Sequence, residues 1–546
     1  MTVAELFVDC LVAEGVQHVF GVPGEENEDL LIAIYEHPDI EFIPCRHEQG
    51  AAFIANVWGR LTGKAGVCLS TLGPGATNLL TGVADANLDK APLVAISGQG
   101  SLDRLHHESH QNIDVVQMFK PVTKWNTAIK APEVTAEVLR KAFKIAELEK
   151  PGATHIELSE DVATMKVNGL KPLSASLLRR SAPDPISVEK LADLLKASKQ
   201  PLILAGNGAI RNRSSQELKY LATKFNLPVV ATFMGKGAIS DALPQSLFSI
   251  GLGFRDLVHE AIEQADLVIC VGYDIAEYAP DAWNPDRDKT IVHIDFEAAE
   301  VYENYQPRIE IIADIAHTLR ALAAALEERD KYFQFTNWYV PVRQRILEDI
   351  DSYQLKGEAP FTVPAVINAV RAVLQEDGLV ISDVGAHKMW IARNLKTYCP
   401  NGCIISNGLA SMGIALPGGI AASMIDRDRQ VVCMMGDGGF MMNAPELETA
   451  KRLDINATYI IFNDNDYGLI SWKQRMSQGR SVYTELSNPD FKLFAESFGI
   501  KAYNPKTAAE LKQVLAEAIP AKELNLIEIP IDPTVNMRLI EKLKSE

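Results

Sequence analysis

Short runs rich in Val and Ile, each closing on Gly, Asp or Asn, alternate with helical periodicity along almost the whole chain. Examples are VQHVFGV, PLVAISGQG, THIELSED, PLILAGNG, PVVATFMG, LVICVGYD, TIVHIDF, LVISDVG, QVVCMMGDGG and TYIIFNDND. Such runs lack the polar alternation of a half-solvated strand, so they belong in sheets covered on both faces. A helix between successive strands makes those strands parallel. The expected class is α/β with doubly wound parallel sheets. In sheets of this kind ligands bind beyond the carboxyl ends of the strands, so the Gly, Asp and Asn residues there are where chemistry is sought.

Two breaks divide the chain. Residues 170–186 (LKPLSASLLRRSAPDPI) are rich in Pro and Ser, and residues 350–363 (IDSYQLKGEAPFTV) are polar and again carry Pro and Gly. The pieces 1–170, 187–345 and 362–546 are each long enough for a core of their own, so three doubly wound parallel-sheet domains are expected.

Charge narrows the partners. Asp and Glu total 71 against 53 Lys and Arg, a formal charge of −18. A chain this acidic repels nucleic-acid phosphates and anionic membranes, so neither is expected as a partner. Seven cysteines in 546 residues are too few for a disulfide framework, and Cys68, Cys270 and Cys433 sit in apolar runs as small hydrophobes. Reduced thiols and a cytoplasmic location are expected. The N-terminus is read as a helix opened by a Thr2/Glu5 capping box, not as a signal peptide. Thr397 to Ile425 carries no charge, but its glycines and two prolines disfavour a membrane span.

The strongest local signal is GDGGFMMNAPELETAKRLDINATYIIFNDNDYG. Strand Gln430–Met435 runs into Gly436, Asp437, Gly438 and Gly439; a helix follows from about Ala444 to Leu453; strand Ala457–Phe462 then runs into Asn463, Asp464, Asn465 and Asp466. The crossover makes the strands parallel, so both acidic loops emerge on one sheet edge. Asp437 and Asp464 can then share a Mg²⁺, which takes oxygen ligands and usually also binds phosphate. The glycines let backbone N–H groups approach that phosphate. The alternative is a plain strand-to-helix turn with solvated acids after the next strand.

A Gly-Asp-Gly followed two dozen residues later by an Asn-rich turn resembles the cofactor motif of thiamine-diphosphate enzymes. GVPGEENEDL, RHEQGAAFIANVWGRLTGKAGVCLSTLGPGATN, SDVGAHKMWIAR, ISNGLASMGIALPGGIAA and GDGGF extend the resemblance over most of the chain. Within that family the chain is most similar to the flavin-independent, catabolic-type acetolactate synthases.

The resemblance implies the following roles. Asp437, the Asp464 side chain and the Asp466 backbone carbonyl would hold Mg²⁺; the family usually has Asn where Asp464 stands. Gly385, Ala386 and His387 would contact the diphosphate, together with Gly436, Gly438 and Gly439 and the segment Tyr467, Gly468 and Leu469. Met412 would wedge between the cofactor rings, and Ala410 and Met412 would offer backbone bonds to the aminopyrimidine. Glu48, in HEQGA, would share a proton with pyrimidine N1′, so that N4′ can deprotonate the thiazolium. Read alone, Glu48 is a helix-start residue, and HEQGA lacks the second His of a zinc motif.

The glycines of Thr71–Asn78, Gly73 first among them, allow close approach to reacting carbons. His106, His107 and His110 could suggest a metal site but have no clear companion ligand; His110-Gln111 resembles the carboligase pattern, which implies Gln111 near the substrate carboxylate. Lys473 stands where flavin-dependent relatives carry Trp and catabolic ones Gln. It is read either as a solvated lysine or as an attractor for the second 2-oxo acid. The middle piece carries a weak nucleotide fingerprint at Gly206-Asn207-Gly208, with Asp295 closing a later strand. Its Gly272-Tyr273-Asp274-Ile275-Ala276-Glu277-Tyr278 lacks the arginines of the flavin-containing synthases, so FAD is not expected.

The implied activity is a transferase that decarboxylates pyruvate and ligates the hydroxyethyl unit to a second pyruvate, giving 2-acetolactate and CO₂. Pyruvate oxidase, pyruvate decarboxylase or another thiamine-dependent carboligase is the alternative. The implied partners are small 2-oxo acids and further copies of the chain, in a homodimer or homotetramer with the active site at the subunit interface.

Overall fold

The computed structural model describes residues 1–175, 180–251 and 256–539. Part of the expected linker at 170–186 and the last residues of the third piece therefore lie outside the described residues.

Among the described residues eighteen strands form three six-stranded sheets, and every pairing between these strands is parallel. The first holds β1 (His18–Gly21), β2 (Glu41–Pro44), β3 (Gly66–Ser70), β4 (Leu93–Gln99), β5 (Trp125–Ile129) and β6 (Ala153–Ser159), in the order β2-β1-β3-β4-β6-β5. The second holds β7 (Pro201–Ala205), β8 (Val229–Thr232), β9 (Ser246–Ile250), β10 (Leu267–Val271), β11 (Thr290–Asp295) and β12 (Ile309–Ile312), in the order β12-β11-β10-β7-β8-β9. The third holds β13 (Leu379–Ser382), β14 (Cys403–Ile405), β15 (Val431–Gly436), β16 (Thr458–Asn463), β17 (Lys501–Tyr503) and β18 (Asn525–Pro530), in the order β14-β13-β15-β16-β18-β17. The first and third sheets thus share one strand order, while the middle sheet has the order of dinucleotide-binding folds.

The apolar runs are what the parallel sheets require. β3, β4, β6, β7 and β10 are buried at every residue. Each fully buried Val, Leu or Ile side chain in such a strand contributes about 1.5–3 kcal/mol of transfer free energy.

The three expected pieces each contain one sheet, but the chain forms two compact units. One comprises Met1–Leu178, Gly408–Asp428 and Phe440–Asn456; the other Arg179–Asn407, Arg429–Gly439 and Ala457–Glu546. In the first unit the buried helix Ala415–Ile425, part of the charge-free stretch, packs on the helix Glu48–Thr62. Thr2 and Glu5 form the expected capping box, with Thr2 N–H donating to Glu5 at 2.7 Å. No two of the seven cysteines are joined by a disulfide. Among the described residues no helix is long and apolar enough to cross a membrane.

Two element boundaries differ from the sequence reading. The helix expected over about Ala444–Leu453 is preceded by another that begins at Asp437, directly after β15, so Asp437, Gly438 and Gly439 form its first turn. It ends at Asn443, and a second helix runs over Glu446–Arg452. The break falls at Ala444-Pro445, because Pro445 lacks the N–H that would continue the ladder.

Candidate active site

In the third sheet the chain leaves β13 for the edge strand β14, then returns to β15 on the other side of β13. That reversal opens a crevice at the carboxyl ends of β13 and β15, where ligands bind in doubly wound sheets. Gly385, Ala386 and His387 follow β13, and Gly436–Gly439 close and follow β15. All of these belong to the second unit.

His387 is buried, and burial pushes its imidazole down to about 3, so the ring is neutral. Its Nε2 has no hydrogen-bond partner among the described residues. A buried polar atom left this way costs about 1–3 kcal/mol unless something pairs with it. A Cβ on Gly436 would lie 3.4 Å from the imidazole, so the ring and the end of β15 are adjacent.

β15 pairs with β16 so that Gly436 lies opposite Phe462, which sets Asp437 and Asp464 on neighbouring strand ends. Asp437 Oδ1 accepts the N–H of Gly438 at 2.8 Å, and its Oδ2 accepts from Asn488 Nδ2 at 2.6 Å. Burial raises the Asp437 carboxyl above its ordinary value. Burial first, and the Asp437 charge second, push Asp464 up to about 7. Asp466 has a buried Oδ1 with no hydrogen-bond partner among the described residues. Two desolvated carboxylates that repel each other at adjacent strand ends are the donor set a hard cation would neutralise. A Cβ on Gly438 would stand 2.8 Å from the Tyr467 ring, and one on Gly468 2.7 Å from Asp464 Oδ2. Side chains at 438 and 468 would therefore collide with the cradle. The donor set and the side-chain-free turns fit a metal–diphosphate group.

Asn488 carried no sequence signal. Its side-chain nitrogen also lies 3.2 Å from Asn463 Oδ1 and 3.1 Å from Asn465 Oδ1, so it ties the two acidic loops together. Tyr467 donates its N–H to Thr484 O at 2.9 Å and precedes the helix Gly468–Gln478, which carries Leu469 and Lys473. On that helix Ser471 and Trp472 are buried, whereas Lys473 is exposed.

The remaining candidates lie in the first unit. Glu48 opens the helix Glu48–Thr62, where the positive helix end favours a carboxylate. His47 caps that helix, its ring accepting the Gln49 N–H at 3.1 Å. Glu48 is 7% exposed, and its Oε2 accepts from Asn78 Nδ2 at 2.9 Å. Gly73, at φ +50°, begins the helix Pro74–Leu88; a Cβ there would meet Gln111 O at 2.7 Å, and one on Gly75 would meet Glu48 Oε1 at 3.2 Å. Glu48, Gly73, Gly75, Asn78 and Gln111 are therefore neighbours. His110 and Gln111 are both exposed. Ala410, at φ +56°, and Met412 are half-buried in a loop of the same unit.

Glu446 was not singled out by the sequence reading, yet it shapes the approach to Glu48. It is fully buried, and its Oε1 accepts the N–H groups of Arg46 at 3.1 Å and His47 at 3.0 Å. Its other oxygen accepts from the Thr449 hydroxyl at 2.6 Å.

Among the described residues no cluster of three or more His, Cys, Asp or Glu side chains is arranged to hold a metal. This does not bear on Asp437 and Asp464, which are two carboxylates expected to be completed by a backbone carbonyl. The His106 and His107 rings lie 3.2 Å apart, Nε2 to Nδ1.

The switch point of the middle sheet, between β7 and β10, is filled from within. After β7, the Asn207 N–H donates to both oxygens of Glu277, at 3.0 and 3.1 Å, and the Thr232 hydroxyl donates to the same carboxyl. Burial pushes Glu277 up to about 8. On this fold a dinucleotide phosphate would sit at the turn after the first strand, and here an internal carboxyl occupies it.

Residues 1–118 match the N-terminal TPP binding domain of thiamine pyrophosphate enzymes, residues 188–322 the central domain and residues 383–529 the C-terminal TPP binding domain. The chain is 35% identical over 565 residues to the acetolactate synthase of Bacillus subtilis (strain 168), covering 100% of this chain and 95% of that one. It is 36% identical over 544 residues to the catabolic acetolactate synthase of Raoultella terrigena, covering 99% and 97%. The probable acetolactate synthase large subunit of Methanocaldococcus jannaschii is 35% identical over 558 residues, covering 98% of this chain and 93% of that one.

Proposed function

The chain belongs to the thiamine pyrophosphate enzymes, and on that premise we propose that it is an acetolactate synthase, a transferase converting two pyruvates to 2-acetolactate and CO₂. The observation that carries the cofactor assignment is the pair of buried carboxyls, Asp437 and Asp464, both raised above their ordinary values and set on neighbouring strand ends. The end-to-end likeness to relatives named acetolactate synthase selects the reaction.

In this reading Asp437, Asp464 and the Asp466 carbonyl hold Mg²⁺. Gly385, Ala386, His387 and the turns at Gly436, Gly438, Gly439 and Tyr467–Leu469 receive the diphosphate. Thiamine diphosphate, once bound, supplies an electron sink for the decarboxylation. The protein handles protons and orientation. Glu48, held by Asn78, shares a proton with pyrimidine N1′. Ala410 and Met412 support the aminopyrimidine, Gly73 leaves room at the reacting carbons, and Gln111, next to His110, meets the substrate carboxylate. Lys473, exposed and cationic, attracts the carboxylate of the second 2-oxo acid. The active form is a cytoplasmic homodimer or homotetramer with the active site at the subunit interface. It works without flavin, since Glu277 already fills the turn a flavin diphosphate would use.

The test is turnover of pyruvate by purified protein with and without thiamine diphosphate and Mg²⁺. The reading expects acetolactate only with both, and no flavin released on denaturation. Stoichiometric flavin, or acetaldehyde as the main product, would transfer the chain to the oxidase or decarboxylase alternative.

A further inference from the structure

Two buried carboxylates at the end of the helix Pro74–Leu88 hold the loop that carries Ala410 and Met412, within the first unit. Asp85 lies in the last turn and Asp89 caps the helix; both are fully buried. Asp89 Oδ1 accepts the N–H of Gly408 at 2.6 Å, and Asp85 Oδ2 accepts that of Ser411 at 3.3 Å. The other oxygen of each is engaged by the helix Glu48–Thr62: Asn56 Nδ2 donates to Asp85 Oδ1 at 2.9 Å, and Arg60 to Asp89 Oδ2 at 3.1 Å. Asn56 and Arg60 are four residues apart on one helix, as are Asp85 and Asp89 on the other, so each pair lies on one helix face. The result is a two-rung ladder, 56–85–411 and 60–89–408.

The loop needs this support. Ala410, between the two anchored N–H groups, has φ +56°, a left-handed conformation that residues with a Cβ rarely adopt. Such backbone persists where its surroundings over-determine it. A third anchor follows, as Asn443 Nδ2 donates to Gly413 O at 2.8 Å. Gly408 has no room for a side chain, since a Cβ would meet Asp89 Oδ1 at 2.8 Å and the backbone of Leu88 at 2.9 Å. Hydrogen bonds from backbone N–H groups to ionised carboxylates are about twice as strong as neutral ones.

We propose that Asp85 and Asp89 are positioning residues for the aminopyrimidine half of the cofactor, fixing the backbone of Ala410 and the direction of Met412 without touching the cofactor themselves. This rests on the function proposed above.

Two variants test it in the intact protein. Asp85→Asn places an amide against the Asn56 or Ser411 donors. The paired change Arg60→Met with Asp89→Leu removes a buried ion pair as a unit, because losing one partner alone is strongly destabilising. Binding of thiamine diphosphate with Mg²⁺ is compared by calorimetry with binding of inorganic pyrophosphate with Mg²⁺. Each variant should bind thiamine diphosphate about tenfold more weakly, the loss of one charge-assisted hydrogen bond. Pyrophosphate affinity should stay within about twofold of wild type, a change of roughly 0.4 kcal/mol, because the acidic metal loops belong to the other unit. Unchanged thiamine diphosphate affinity in both variants, or an equal loss of both ligands, would overturn the proposal. Wild-type protein that binds pyrophosphate but not thiamine diphosphate would instead overturn the function it rests on.

Discussion

Asn78, on the helix Pro74–Leu88, donates its side-chain amide to the carboxylate of Glu48 at 2.9 Å, at the first residue of the helix Glu48–Thr62. That bond fixes the carboxylate of the proposed proton-sharing residue. Glu48→Gln is expected to keep the fold but slow exchange of the cofactor's C2 proton by about 10²–10⁴, the usual weight of one positioned acid–base group. Asn78→Ala should slow it by about tenfold, as one hydrogen bond to a charged group is lost. Deuterium exchange followed by NMR measures both, and wild-type exchange in Glu48→Gln would remove Glu48 from the mechanism.

Asp437→Ala should abolish Mg²⁺-dependent retention of thiamine diphosphate while leaving unfolding of the apo protein nearly unchanged. Asn488→Ala should weaken Mg²⁺ retention by about 10- to 100-fold, the range for groups that orient a metal ligand, because Asn488 holds Asp437 at 2.6 Å. Equilibrium dialysis of the cofactor against Mg²⁺ checks both. Unaltered affinity in Asp437→Ala would place the metal elsewhere.

The interior of the fold was legible because interior strands of a parallel sheet are continuous apolar runs. β3, β4, β7, β10, β15 and β16 coincide with the runs that stand out. β5, β12 and β17 do not stand out: as edge strands they keep partly exposed residues and polar positions. Of the residues the proposed function uses, Asp437 and Asp464 were readable from their places after strand ends, and Glu48 only through the family resemblance. The groups that hold them were not. Asn488 approaches Asp437 from 51 positions away, and Glu446 reaches the His47 N–H across 399. Each is an ordinary polar residue in its local sequence, and only the folded chain gives it a partner.

Glu277 gives a pH dependence with a definite sign. Its folded value is pushed up to about 8 from an ordinary 4.5, so the folded protein holds this proton more tightly than the unfolded chain. The stabilisation is complete below the unfolded value and is lost as pH rises towards about 8. Melting temperature should therefore fall from pH 5 to pH 8 in wild type, and Glu277→Gln should flatten that fall. Parallel slopes in the two proteins would show that Glu277 does not carry the dependence.

Lys473 is exposed on its helix and carries a compact charge on a flexible stem. As an attractor of the second 2-oxo acid it would select weakly for the alkyl group. Pyruvate and 2-oxobutyrate should serve as acceptors with efficiencies within about tenfold, the low end of what one methylene supplies. Lys473→Gln should raise the acceptor KM and leave consumption of the first pyruvate unchanged. Competition assays read both effects; unaltered acceptor kinetics in the variant would return Lys473 to the solvated surface.

The most direct test of the whole account follows [2-¹³C]pyruvate by NMR in the presence of the protein, Mg²⁺ and thiamine diphosphate. The account predicts 2-acetolactate labelled at the two carbons that were pyruvate C2, with one CO₂ released for every two pyruvates consumed. One CO₂ per pyruvate with labelled acetaldehyde or acetate, or no turnover of pyruvate at all, would contradict it.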